Sequence, residues 1–169
     1  RRAGACVVDK RQGRTLPEPF GALGKNPLIE KNIRSDYGVN VRAGDNFFAN
    51  YDCAFLDCAP ITFGDNVFIG PKCGFYAVNH PLDADLRNSG VETGIPLTVG
   101  DNAWFGGRVT VCPGVTIGDD LILVAGSVAV ADLPSACSAL PHPARESSGP
   151  QIPTTRPRLT PTAARFFHA

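Results

Sequence analysis

His80 is the side chain in this sequence best suited to moving a proton near neutral pH. An imidazole titrates close to neutrality, so it can take a proton from a hydroxyl and return it within one reaction cycle. It stands in Asn79-His80-Pro81-Leu82-Asp83, a polar, turn-rich stretch. Pro81 restricts the backbone of His80 to extended conformations, so the ring is aimed rather than free to wander. The sequence holds 3 histidines, and the other two, His142 and His168, fall in a proline-rich tail. A histidine metal centre needs about three such ligands brought together, so no metal is expected. The 6 cysteines (Cys6, Cys53, Cys58, Cys73, Cys112 and Cys137) form no Cys-x-x-Cys pair and no zinc spacing. Most read as small buried hydrophobes in a reducing cytosol.

The element that must hold His80 is a hexapeptide repeat, which the polar stretch interrupts. Units begin at Phe63 and Ile69, then resume at Val99, Phe105, Val111, Ile117 and Leu123. The first position is apolar, the fifth is small or aliphatic, and the corner between them is rich in Gly, Asp and Asn. An apolar residue every sixth position cannot lie on one face of an α-helix, whose period is 3.6. It can line the inside of a coil that turns a corner after each short strand, with Gly and Asn supplying the turn. Three such strands make a coil of about eighteen residues, and stacked coils bury each other's apolar edges. A weaker set starts at Ala43, Ala49 and Phe55, and two extra residues, Ile61 and Thr62, are expected to loosen one corner. The fold class is therefore all-β, a parallel β-helix, with an extruded loop around 76–96. Insertions in a solenoid leave on one face, where binding usually resides.

Several motifs together resemble the maltose and galactoside O-acetyltransferases. They are Asp36-Tyr37-Gly38, Gly44-Asp45-Asn46-Phe47-Phe48-Ala49-Asn50, Leu56-Asp57, His80-Pro81-Leu82-Asp83, Gly100 to Gly107 and Pro113 to Asp119. The resemblance spans Pro27 to Arg145 and implies a left-handed coil, a handedness the usual crossover rule does not supply. It implies transfer of an acetyl group from acetyl-CoA to a sugar hydroxyl, with His80 as the catalytic base. Asn50 corresponds to the asparagine at the reacting centre, Asp36 to an acceptor-pocket residue, and Asp57 lies near it; the alternative for these two aspartates is corner residues that satisfy backbone amides. Gly107 and Ala125 correspond to positions on the pantetheine track, with Trp104 beside them. Arg145 corresponds to an arginine that meets the CoA phosphates. The resemblance further implies a homotrimer with its sites between subunits.

The sequence departs from that pattern at Val130-Ala131, where Thr-Lys is usual, and at Leu140-Pro141-His142-Pro143, where a Gly-x-Pro turn is usual. These departures leave a second reading open, a catalytically impaired scaffold or oligomerisation protein built on the same coils.

The remaining composition excludes more than it suggests. With 16 basic and 16 acidic residues the net charge is zero, so neither a nucleic-acid surface nor a membrane patch is expected. No signal peptide is readable, and a cytoplasmic location is expected. The absence of methionine suggests a start inside a longer product. The domains read as a partial N-terminal segment (1–26), a β-helix domain (27–134) and a divergent Pro-rich tail (135–169) without apolar periodicity.

Overall fold

The computed structural model describes residues 20–136, together with the backbone of Ser138–Ala139 and Glu146–Ser147. Residues 1–19 and most of the 135–169 segment, with Arg145, His142, His168, Cys6 and Cys137, lie outside the described residues.

Short strands follow one another at the spacing the hexads demand. The first coil is β1 (Ala22–Leu23), β2 (Leu28–Ile29) and β3 (Arg34–Ser35). The second is β4 (Val41–Ala43), β5 (Phe48–Ala49) and β6 (Ala54–Leu56); the third is β7 (Ile61–Phe63), β8 (Phe68–Ile69) and β9 (Gly74–Tyr76). An excursion then carries β10 (Val78–Asn79), helix α1 (Ala84–Asn88) and β11 (Thr93–Gly94). The fourth coil is β12 (Leu97–Val99), β13 (Trp104–Phe105) and β14 (Thr110–Val111), and the fifth is β15 (Thr116–Ile117), β16 (Ile122–Leu123) and β17 (Val128–Ala129). Strand β18 (Ser138–Ala139) continues one face, and β19 (Glu146–Ser147) pairs antiparallel with it.

Equivalent strands pair in parallel and make the three faces of a prism. Face I is β1-β4-β7-β12-β15, face II is β2-β5-β8-β13-β16-β18 with β19 outermost, and face III is β3-β6-β9-β14-β17. The architecture is the expected left-handed parallel β-helix of about five turns, with almost no helix. The ladder already includes Ala22–Leu23, ahead of Pro27.

The hexad chemistry now has physical causes. First-position residues such as Phe63, Ile69, Phe105 and Leu123, and fifth-position residues such as Val67, Ala103 and Leu121, all point into the coil and are buried. Phe75 stacks flat on Phe55 (5.4 Å, 9°) and meets Phe63 and Phe105 edge-on at 5.0 and 5.2 Å. Each Gly-Asp-Asn corner between faces I and II is a joint between coils. Asp65 Oδ1 accepts from the Asp45 amide at 2.7 Å, Asp101 Oδ1 from Asp65 at 2.8 Å, and Asp119 Oδ1 from Asp101 at 2.9 Å. A Cβ on Gly64 would meet the Asp101 carboxylate and come within 2.9 Å of its backbone, so only glycine leaves room for that bond. The asparagines take left-handed conformations (Asn46 φ 57°, Asn66 φ 55°, Asn102 φ 57°), which this residue tolerates. Their side chains form a second ladder, Asn46 Nδ2 donating to Asn66 Oδ1 at 2.9 Å and Asn66 Nδ2 to Asn102 Oδ1 at 3.1 Å.

Coil length differs from the expectation in an informative way. Equivalent corner residues are 18 apart in the later coils, Asp101 to Asp119, but 20 apart in the earlier ones, Asp45 to Asp65. Ile61 and Thr62 are not the loosening residues; they lie in β7, paired with Val41–Arg42 and Leu97–Thr98. The extra length sits in the corners between faces III and I, at 36–40 and 57–60. The 76–96 excursion leaves from the same corner of the third coil. All the irregular backbone of the described coils is therefore collected on one edge of the prism.

Candidate active site

Asp57 builds that edge. It is fully buried, with Oδ1 accepting from the amides of Asp36 and Tyr37 (3.0 and 2.9 Å) and Oδ2 from the amide of Asn40 (3.2 Å). A buried carboxylate is tolerable when backbone donors replace its water. Its oxygens are occupied by the preceding coil's corner, so Asp57 acts by holding Asp36 outward.

The excursion brings a partner to His80. Strands β10 and β11 pair antiparallel with Asn79 opposite Thr93. One residue beyond that last pair stand His80 and Glu92, and the His80 Nε2 to Glu92 Oε1 distance is 3.7 Å, both side chains being about half exposed (55% and 50%). Cross-strand neighbours in such a hairpin are held at contact distance by the register itself. Glu92 therefore faces one ring nitrogen of His80, Nε2.

The Cys58 thiol ties the two parts together. Its Sγ lies 3.8 Å from Asp36 Oδ2 and 3.8 Å from Glu92 Oε2. Partial burial and the two carboxylates push the Cys58 thiol up to about 11. Partial loss of hydration, then the Asp57 and Glu92 carboxylates, raise Asp36 above the usual carboxylate range, while the Cys58 hydrogen bond opposes this. Cys58 should consequently resist alkylation: at pH 8 its iodoacetamide labelling is expected about a hundredfold slower than that of a free thiol, because only thiolate reacts. Peptide mass spectrometry across pH 8–10 checks this, the Cys58 rate rising about tenfold per unit. Cys53 and Cys73 are buried inside the coil as anticipated; Cys58 and Cys112 are only half-buried.

A second group forms on a different edge. Asn50, Trp104 and Gly107 line a shallow cleft of roughly 580 Å³ with Phe48, Phe68 and Pro71, along face II and its corner with face III. Trp104 is 51% exposed. The floor is small by necessity: a Cβ on Gly70 would come within 2.8 Å of the Gly106 backbone. Ala125 packs against Gly106 from the following coil, outside the cleft lining. The Asn50 Oδ1 accepts from the Tyr51 amide at 2.8 Å, which leaves its Nδ2 as a free donor pointing away from that bond.

The fold thus joins His80 with Asp36 and the Asp57 staple on the III/I edge, and Asn50 with Trp104 and Gly107 on the II/III edge. Arg145 lies outside the described residues. Glu92 and Cys58 were not anticipated from the sequence. The signal for Glu92 was the hairpin register of 78–79 against 93–94, which a polar stretch without alternation does not display.

A parallel three-faced coil, interrupted once among the described residues by a loop that bears His80, defines a left-handed β-helix protein. Residues 96–129 match the hexapeptide repeat of succinyl-transferase. The chain is 37% identical to galactoside O-acetyltransferase of Escherichia coli over 138 residues, which is 82% of this chain and 68% of the relative. The solved maltose O-acetyltransferase of Clostridium difficile 630 is 51% identical, with a TM-score of 0.75 over 76% of this chain and 68% of that one. A hexapeptide-repeat acetyltransferase of Vibrio cholerae, solved with acetyl coenzyme A, is 37% identical, with a TM-score of 0.74 over 76% of this chain and 70% of that one. This chain belongs to the hexapeptide-repeat acetyltransferase family.

Proposed function

We propose that the chain moves the acetyl group of acetyl-CoA to a hydroxyl of a sugar, with His80 as general base. The observation that carries this reading is the His80–Glu92 pair beside Asp36, on the one edge where backbone leaves the repeat. The free ring nitrogen would take the acceptor proton as the hydroxyl oxygen attacks the thioester carbonyl. The Glu92 carboxylate would stabilise the imidazolium that forms. The Asn50 Nδ2 would donate to the tetrahedral oxyanion, a role suited to a preorganised neutral donor. Collapse of the intermediate would break the C–S bond, and the imidazolium would return the proton to the departing thiolate. Asp36 would accept a hydrogen bond from a second acceptor hydroxyl.

The open, glycine-floored cleft suits the pantetheine arm of acetyl-CoA, because small residues let the thioester run close to backbone. Trp104 would flank it. Since His80 and Asn50 stand on different edges of one prism, a complete site needs a second copy, and we propose a homotrimer with each site between subunits. Apolar residues in register across face II support that assembly: exposed Leu28 pairs with half-buried Phe48, Phe48 with exposed Phe68, and Phe68 with exposed Trp104. The acceptor class is proposed from the names of the galactoside and maltose acetyltransferases that this chain resembles. No helix among the described residues is long and apolar enough to cross a membrane. We place the protein in the cytoplasm, which the unpaired Cys53, Cys58, Cys73 and Cys112 suit.

The test mixes the purified chain with acetyl-CoA, a thiol-detecting reagent and a panel of neutral sugars. Sugar-dependent release of CoA thiol, with acetylated sugar recovered by mass spectrometry, is the expected result. Binding of acetyl-CoA without transfer to any hydroxyl would overturn the reading in favour of a scaffold.

A further inference from the structure

We infer that Arg87 is a positioning residue for His80; this rests on the proposed role of His80 as the base. The segment His80-Pro81-Leu82 lies between two ordered pieces. The β10–β11 ladder ends at the Asn79–Thr93 pair, and the helix begins only at its cap, Asp83, whose side chain accepts from the Leu86 amide at 2.9 Å. Leu82 is 99% exposed and His80 is exposed, so partial burial of Pro81 alone contributes packing to this segment. What holds it is Arg87, in the last turn of α1. Its Nη1 donates to the carbonyls of both Pro81 and Leu82, each at 3.0 Å. Among the described residues these two carbonyls have no other donor.

The geometry closes a small ring of constraints. The hairpin sets His80 opposite Glu92 from one side, and the Arg87 bridge fixes the chain immediately after it. A guanidinium is always charged and rigid, so it makes a stiffer bridge than a longer-range contact would. Arg87 forms no hydrogen bond or ion pair with His80 or Glu92, so it acts through the backbone. Its loss frees Pro81 and Leu82, and the His80 ring can then leave the rung that faces Glu92. Small misplacements of a reacting group have large effects on rate and small effects on binding of a substrate held elsewhere.

The experiment compares Arg87→Ala and Arg87→Lys, alone and combined with Glu92→Gln. Arg87→Ala is expected to lower kcat by about tenfold while the KM for acetyl-CoA stays within about twofold. Arg87→Lys, which keeps a charged donor, is expected to recover most of the loss. In the Glu92→Gln background, Arg87→Ala should cost much less, because both residues act on the same placement. A wild-type kcat in Arg87→Ala overturns the inference. So does an equal loss in both backgrounds without lysine rescue, which is what loop destabilisation alone would produce. A second readout does not depend on catalysis: NMR contacts between the His80 ring and the Glu92 side chain. Their loss in Arg87→Ala at unchanged melting temperature supports the inference, and their retention overturns it. Absence of transfer by the wild-type chain would instead count against the proposed function and leave the NMR result to decide on Arg87.

Discussion

His80→Ala is expected to lower the rate of acetyl transfer by about 10²–10⁴, with the KM for acetyl-CoA little changed. The size follows from the chemistry. A sugar hydroxyl is a poor nucleophile until its proton is removed, and no other imidazole lies on the III/I edge among the described residues. The small KM effect follows from placement, since the cleft lined by Trp104 and Gly107 is on another edge. Subunit mixing sharpens the same expectation. His80→Ala and Asn50→Ala chains should each be nearly inactive, yet an equal mixture refolded together should recover about one quarter of wild-type activity. That fraction arises because each site of the proposed trimer would need one intact His80 and one intact Asn50 from different subunits, each present half the time. Stopped rates of CoA release on the mixed and unmixed samples check it. No recovery on mixing would mean that each site is built within one chain.

Phe75→Ala is expected to cost about 3–5 kcal/mol of stability, read as a fall in the urea midpoint. Phe75 is fully buried and is the centre of the aromatic column, touching Phe55 in the coil before it and Phe105 in the coil after. A solenoid is stabilised chiefly by contacts between neighbouring coils, so a cavity here weakens the joint between the third and fourth. That joint is also where the 76–96 excursion leaves the stack. The variant should therefore lose acetyl transfer at lower urea than it loses the far-ultraviolet signal of the remaining coils. Phe75→Leu, which conserves most of the volume, is expected to cost less than about 1.5 kcal/mol.

These two predictions rest on unequal legibility. Ile69, Phe105 and Val111 announce themselves in the sequence because each repeats its neighbour's position six residues on. A strand and its corner are local, and the corner chemistry of Gly-Asp-Asn is written in consecutive residues. Asp57 shows the opposite case. The sequence left it open between a residue near the acceptor pocket and a corner residue satisfying backbone amides, and only the fold shows both its oxygens accepting from the amides of Asp36, Tyr37 and Asn40. Ile61 and Thr62 show it again: a count of residues detects the extra length, but only strand register reveals that the length sits before them.

By itself the sequence determined the coil, the apolar interior and the fact that His80 stands in the one break. Those properties depend on residues within a few positions of one another. Only the tertiary structure decided what surrounds His80. Glu92 reaches it through a hairpin register, Cys58 and Asp36 reach that pair from two earlier coils, and Asn50 is carried to a different edge. Each of these depends on how many residues a coil consumes before it returns to the same face, a sum over the whole turn that no local pattern contains.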